Sequence, residues 1–253
     1  MNPMTIGVLV FAVTFGGALA GIWLHARLPE RHLSADSQAT VKVGIGLIAT
    51  MTALVLGLVT ASAKSSFDAL DAAVKQSAAE VLTLDRTLAR YGPESETARV
   101  ALHDLIVAAR IKSWPAAATS ARELQASGAP GGAESVVRHI RALSEQSDDQ
   151  RWLKARALDL GEQLLEARWV VFSNIGSSVP VAFLIVLVFW LMVIFVSFGL
   201  FAPKNGTVIS ILLVCALSVA SAIFLILELD QSFTGVIRIS PAPMDFALSQ
   251  MNR

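Results

Sequence analysis

The sequence is poor in the residues that carry most metal and enzyme chemistry. Cys215 is its single cysteine, so neither an intrachain disulfide nor a cysteine-based metal site can form. The formal net charge is zero, which argues against nucleic acid as a partner. It contains no nucleophile elbow, phosphate-binding loop or pair of catalytic carboxylates. We therefore expect no enzyme activity, no cofactor and no nucleic-acid partner.

Histidine is also scarce, with 4 residues in the whole chain. His25 and His32 share a short polar stretch with Glu30, but their spacing matches no closed zinc site. His103 and His139 stand alone within predicted helices. We expect no metal site.

Charge is sparse and apolar residues dominate. Only 16% of the chain is charged, 54% is hydrophobic and the mean hydropathy is +0.61, which is too apolar for an ordinary soluble domain. The apolar residues cluster in uncharged runs: Met4–Leu24, Val43–Ala63, Val179–Pro203 and Gly206–Leu227. As a helix, each run can cross a hydrocarbon core of about 30 Å. The sequence thus predicts an all-α integral membrane protein with four transmembrane helices.

These runs divide the chain unevenly. We expect residues 1–63 to hold spans 1 and 2 with a short loop, His25–Lys42, between them. Residues 64–178 form a large soluble insert, residues 179–229 hold spans 3 and 4, and residues 230–253 form a C-terminal tail. Lys and Arg occur near the membrane on both sides, so charge alone does not orient the chain.

The insert has the pattern of packed helices. Neither Gly nor Pro occurs from Leu58 to Tyr91, and apolar residues recur there at heptad spacing. The repeating positions are Phe67, Val74, Val81 and Leu88, with Leu70, Ser77, Leu84 and Tyr91 between them. Further helices are predicted at about Glu96–Trp114, around Val136–Leu143 and at about Asp148–Phe172, with "SGAPGG", Ser127–Gly132, as a loop. Because no break separates it from span 2, the first of these helices would form a continuous rod with that span.

The first span contains "GALAG", in which Gly17 and Gly21 have GxxxG spacing. Small residues at this spacing let helix backbones approach closely, so we expect a packing contact here, with a partner in the same chain or in another copy. Ala18-Leu19-Ala20 resembles a signal-peptide cleavage site. However, no Lys or Arg precedes the run, and the run is long for a signal, so we interpret it as a span.

The second span is rich in small and hydroxyl residues. Gly57 and Ser62 lie in it, and Thr50, Leu54 and Leu58 follow one another at four-residue spacing. A ring of such apolar side chains can gate a pore by dewetting. Alternatively, the span is a buried bundle helix whose Ser and Thr side chains bond to their own backbone.

Charged residues follow on the same helix. At about 100° per residue, Asp68 returns to the angle of Thr50, and Lys75 lies about 20° from it. With Asp71, these residues are candidates for a pore exit that selects ions by charge. As i, i+4 pairs they also fit a solvated helix surface.

The stretch "LVLGLVTASAKSSFD" resembles the second transmembrane helix of bestrophins, anion channels in which a V-L-G segment of that helix lines a narrow neck. The chain resembles still more closely the bestrophin-like membrane proteins of unknown function found in bacteria and plants. The pieces that carry this resemblance are "LPERHLS", "ALVLGLVTASAKSSFDA", "LDRTLARYGPE", "SSVPVAFL" and "FTGVIRISPAPM".

The resemblance implies a bestrophin-like fold with a cytoplasmic insert, a homo-oligomer that is a pentamer in bestrophins, and a bacterial inner-membrane location. It places the neck at Thr50, Leu54 and Leu58, where the bulky aromatic residues typical of bestrophins are absent. Bestrophins also carry an acidic calcium clasp after the fourth span. This chain has only Glu228, Asp230 and, further on, Asp245 there, so we expect no matching calcium site.

Two functions remain open on the sequence. The first is an oligomeric ion channel in the lipid bilayer, with span 2 lining the conduit and small ions as its cargo. The second is a non-conducting membrane scaffold or signal-transducing protein. They differ in whether the small and hydroxyl residues of span 2 face a central axis or a laterally packed bundle.

Overall fold

The computed structural model describes residues 2–29, 35–114, 132–173, 180–203, 205–233 and 235–251. These residues are helical or irregular, without a strand among them. Residues 127–131 of the predicted "SGAPGG" loop lie outside this description, as do Glu30 and His32.

The helices of the described residues follow the predicted order. Their bounds are α1, Pro3–His25; α2, Ala35–Tyr91; α3, Glu96–Ser113; α4, Gly132–Arg141; α5, Asp148–Ser173; α6, Val181–Phe201; α7, Gly206–Asp230; and α8, Ala242–Met251. The predicted loop His25–Lys42 was too long, because α2 already begins at Ala35. Charged residues such as Lys42 do not stop a helix, and neither Gly nor Pro stands between Ala35 and Lys42.

Local sequence sets several helix ends. The Asn2 side chain accepts a hydrogen bond from the Met4 amide at the start of α1, and Asn205 does the same for Val208 at the start of α7. Helix α2 ends at Gly92, whose φ of 125° is a conformation that favours glycine. Pro93 then starts a short 3-10 turn that leads into α3.

The chain forms two compact units, which we describe separately. The first unit comprises Met1–Ser66 with Ser177–Gln231, and the second comprises Phe67–Gly176 with Ser232–Arg253. Helix α2 contributes residues to both units, divided after Ser66. Among the described residues, four helices are long and apolar enough to cross a membrane: α1, α2 from Gln38, α6 and α7.

The first unit is built around α1, whose small residues face α6. A Cβ added to Gly21 would lie 2.1 Å from the carbonyl oxygen of Val196, and one added to Gly199 would lie 1.9 Å from that of Ala18. Such distances mean that the two backbones touch, which only glycine permits. The partner of the GxxxG pair is therefore α6 of the same chain.

The second unit has a core on the predicted heptad seam of α2. Val81, Leu84 and Leu88 are almost fully buried, and they cluster with buried residues of α3, α4 and α5. The other seam residues are also buried, except Phe67, which is half-buried. This confirms the heptad prediction, since burial follows the a and d positions.

Polar contacts fix the C-terminal segment within the second unit. The buried Trp114 donates its indole N–H to the carbonyl oxygen of Ile239 at 2.8 Å, and Arg110 of α3 pairs with Asp245 of α8. Ile239 packs with Leu70 and Trp114 in a small apolar cluster. These contacts make the segment from Ser232 onward part of the second unit's core.

Candidate pore-lining face of helix α2

The neck residues predicted from the sequence lie on the exposed side of α2. Leu54 is 75% exposed and Leu58 is 66% exposed. Thr50, Gly57 and Ser62 are exposed as well. Within the part of the chain that the structure describes, nothing covers these five residues.

The opposite side of the same segment packs into the first unit. Thr52 is 5% exposed and Ala63 is fully buried, clustering with Ile226 of α7. At about 100° per residue, Thr52 and Ala63 lie roughly opposite Thr50 and Gly57. Helix α2 therefore has one narrow packed side and one broad free side in this unit.

The hydroxyl groups of the segment bond to their own helix. Thr50 Oγ1 donates to the carbonyl oxygen of Gly46 at 2.8 Å, and Thr60 Oγ1 donates to that of Leu56 at 2.7 Å. The bundle-helix alternative predicted both backbone-bonded hydroxyl groups and a buried helix. The hydrogen bonds agree with the first expectation, whereas the exposure of the segment disagrees with the second. Each hydroxyl oxygen still has lone pairs that can accept hydrogen bonds from water.

Glycines on the free side face open space. A Cβ added to Gly44, Gly46 or Gly57 would have no neighbouring atom within 4 Å. Gly17 and Gly21 of α1 differ, because both lie against α6. The glycines of α2 therefore do not serve packing inside the protomer.

The predicted exit residues lie further along α2, in the second unit. Asp68 and Lys75 are exposed, and Asp71 is half-buried. Lys75 Nζ lies 2.6 Å from Asp71 Oδ2, a pair that leaves 63% of the lysine side chain exposed. A pair so exposed adds less than about 1 kcal/mol to stability.

Two basic residues on the same side of α2 as Asp68 were not predicted from the sequence. Arg86 and Arg90 are exposed, and within the described residues neither has an ion-pair partner. Arg86 follows Asp68 by 18 residues, which returns it to the same angle, and Arg90 lies about 40° away. The same angular count that linked Asp68 to Thr50 would have found them.

Three polar side chains of the second unit make hydrogen bonds and have a shifted pKa: Tyr91, Arg99 and Glu145. Burial raises the pKa of Tyr91, whose hydroxyl donates to the carbonyl oxygen of Ser144 at 2.6 Å. A hydrogen bond from Lys154 holds the pKa of Glu145 below its usual value. The hydrogen bond to the buried Asp85 raises the pKa of Arg99.

No group of three His, Cys, Asp or Glu side chains in the described part of the chain is arranged to hold a metal ion. Of the acidic residues after the fourth span, Glu228 is buried at the end of α7, Asp230 is half-buried, and Asp245 pairs with Arg110. The expectations of no metal, no cofactor and no enzyme activity stay predictions.

The described residues contain no strand, and four of their helices are long and apolar enough to span a bilayer, so the chain is an integral membrane protein. The model of the bestrophin-like domain matches residues 12–244, so the chain belongs to the bestrophin-like family. Neither the curated proteins nor the solved structures contain a significant match to the chain.

Proposed function

We propose that this protein is an oligomeric ion channel in which α2 helices from several copies surround a shared conduit. In this proposal α1, α6, α7 and the first part of α2 cross the bilayer. The residues between α2 and α6 form a soluble insert. The single observation that carries the proposal is the free side of α2, which no described residue covers and which carries three glycines, Thr50 and Ser62 among its apolar residues.

The contrast with α6 supports this interpretation. The exposed residues of α6 are mostly bulky and apolar, as lipid contact favours: Val181, Phe183, Ile185, Val186, Phe189, Met192 and Phe198. The free side of α2 also exposes bulky apolar residues, but small and hydroxyl residues alternate with them. The bulky ones are Val43, Leu47, Met51, Leu54 and Leu58, and the others are Gly44, Gly46, Thr50, Gly57 and Ser62. Glycines offer lipid tails little contact area but permit close approach of another helix or of water.

The neck of the proposed conduit is formed by Thr50, Leu54 and Leu58 from each copy. Rings of leucine in a narrow passage exclude water, so they can serve as a gate. Asp68 lies 18 residues beyond Thr50, about 27 Å along the helix. Asp68, Asp71 and Lys75 would then meet the ions as they leave, and Arg86 and Arg90 would follow.

The assembly and its place in the cell are part of the proposal. Membership in the bestrophin-like family supports a homo-oligomer, and we propose a pentamer as in bestrophins. Its partners are the lipid bilayer, further copies of the chain and small ions. We place it in the bacterial inner (plasma) membrane with the insert on the cytoplasmic side.

One observation favours a non-conducting scaffold instead. The hydroxyl groups of Thr50 and Thr60 both donate hydrogen bonds to the α2 backbone, as is common in helices that pack against other helices without lining a passage. In that case the free side of α2 would contact a helix of another copy or of another protein, without a central passage.

Imaging of the detergent-purified particle separates these functions. The channel predicts a ring of subunits with a central hole bordered by α2. A compact particle with α2 buried laterally would contradict it.

Cysteine labelling gives a second test. In a Cys215→Ser background, Ser62→Cys, one turn beyond the leucine neck on the free side of α2, should react in the assembled protein with a small water-soluble thiol reagent. The matched control Phe189→Cys, on the exposed side of α6, should not react because it faces lipid. Equal protection of both positions would contradict a water-accessible conduit.

A further inference from the structure

The last turns of α1 present a face that none of the described residues of the first unit covers. Leu19 and Trp23 are exposed there, with 56% of the large Trp23 side chain accessible. Ala20 and Arg27 lie on the same side and are exposed as well. At about 100° per residue, Leu19, Trp23 and Arg27 cover about 80° of the helix surface, on the side away from Gly17 and Gly21, which contact α6.

Arg27 and Trp23 form a fixed pair on this face. The guanidinium carbon of Arg27 lies 4.2 Å from the centre of the Trp23 ring, which is a cation–π contact. In the described residues Arg27 has no carboxylate partner. Its N–H donors that point away from the ring therefore remain available to an anion.

The other side of the helix end is anchored, so the pair is held outward. Gly21 touches the backbone of α6, and His25 Nδ1 lies 2.7 Å from the carbonyl oxygen of Leu200. Because α1 is fixed on this side, its last turn cannot rotate to bury Trp23.

We propose that this face binds one phospholipid, with its headgroup phosphate on Arg27 and an acyl chain along Leu19. Leu19 precedes Arg27 by 8 residues, about 12 Å along the helix. Over that length the face changes from aliphatic to aromatic to cationic. A bilayer leaflet changes in the same order, from hydrocarbon through the interface to the phosphate.

Charge complementarity favours a lipid over another protein copy as the occupant. Guanidinium groups form strong paired hydrogen bonds with phosphate oxygens. The adjoining Leu19 and Trp23 favour a phosphate that carries hydrocarbon over free inorganic phosphate. The inference rests on α1 alone and would hold whether or not the protein conducts ions.

Native mass spectrometry of the purified protein tests the proposal. The protein is incubated with phosphatidylglycerol or with a diacylglycerol glycolipid that lacks phosphate. Wild-type protein should retain phosphatidylglycerol in preference to the glycolipid, and Arg27→Gln should weaken that retention about 10-fold. Arg27→Lys keeps the charge but loses the paired geometry, so its retention should lie between the two. Arg141→Gln, at an exposed arginine of the second unit, is the matched control and should retain lipid as the wild type does.

Fluorescence of Trp23 gives an independent measurement. The signal that is lost in Trp23→Phe should be quenched more by lipids brominated near the headgroup than by lipids brominated near the chain end. Equal retention by Arg27→Gln and wild type, or equal retention of both lipids, would overturn the proposal. So would complete displacement of the lipid by millimolar free phosphate. Efficient disulfide crosslinking between copies through Trp23→Cys in a Cys215→Ser background would assign the face to a second copy instead.

Discussion

Replacing Gly21 with alanine should force α1 and α6 apart. An added Cβ would lie 2.1 Å from the carbonyl oxygen of Val196 and 2.8 Å from the backbone nitrogen of Leu200. Backbone atoms cannot turn aside as a flexible side chain can. To reach ordinary contact distance, the two helices must separate by about 1 Å at this point.

The expected loss of stability follows from that separation. A gap of about 0.5–1 Å forfeits a quarter to a half of the dispersion energy of each contact that it opens. Gly199 contacts the Ala18 carbonyl close to this point, so the two helices have no free space there into which they could shift. Overpacking of a close-packed interior costs about 1–3 kcal/mol, and we expect Gly21→Ala to lie at the upper end of this range.

Two further glycines of α1 provide a graded comparison. A Cβ added to Gly16 meets nothing within 4 Å, so Gly16→Ala should be neutral, or stabilising by up to about 1 kcal/mol through helix propensity. The stability of Gly17→Ala should lie between those of the other two variants, because its Cβ would lie 3.3 Å from the movable Val196 Cγ2. The order of the three stabilities is measured by the loss of helicity during detergent-induced unfolding, followed by circular dichroism. If Gly21→Ala unfolds no more easily than Gly16→Ala, the backbone contact does not exist.

Three other substitutions test the channel and the second unit. Leu54→Ala should raise ion leak through reconstituted liposomes several-fold, because it removes apolar bulk from the proposed gate. Arg99→Gln should cost about 3 kcal/mol of unfolding free energy, because it leaves the carboxylate of Asp85 buried without its partner. The lowered pKa of Glu145 stabilises the fold above the ordinary pKa of 4.5, and this contribution is lost as the pH falls through the lowered value. The midpoint temperature of thermal unfolding should therefore fall less steeply between pH 7 and pH 3 in Glu145→Gln than in the wild type.

Each of these substitutions has a matched control. Val186→Ala changes an exposed aliphatic residue of α6 and should leave ion leak unchanged, so equal leak from both variants would remove Leu54 from the gate. Lys75→Gln breaks an exposed pair and should cost less than about 1 kcal/mol. A loss from Arg99→Gln as small as that would mean that Asp85 is hydrated. Parallel acid unfolding curves for Glu145→Gln and wild type would show that the Lys154 contact is absent in solution.

The sequence predicted features that follow from a repeated pattern. The heptad seam was found because a residue such as Leu84 must be buried each time the helix returns to the same side. The GxxxG spacing predicted a close approach at Gly21 for a similar reason. It could not identify α6 as the partner, because Gly199 is a single glycine far along the chain with no spacing signal of its own.

Features that depend on tertiary packing escaped prediction. Ile239 lies in an irregular segment without periodicity, so nothing local indicated that it would be buried beside Trp114. Likewise, Thr52 and Thr50 are the same residue type two positions apart, yet one is buried and the other exposed. Both sides of span 2 are apolar enough for a membrane, so hydropathy alone could not tell the packed side from the free side.

The free side of α2 also determines whether the proposed channel is open or closed in the absence of a stimulus. In a single protomer within a bilayer, Leu54 and Leu58 border lipid and their exposure costs nothing. In an assembled ring the same side chains would border water, at about 1.5–3 kcal/mol for each fully wetted leucine. That cost repeats in every copy, so a neck narrow enough to exclude water is more stable than a hydrated one. The proposed neck is therefore closed unless a stimulus widens it, and Leu54→Ala acts by lowering the cost of wetting it.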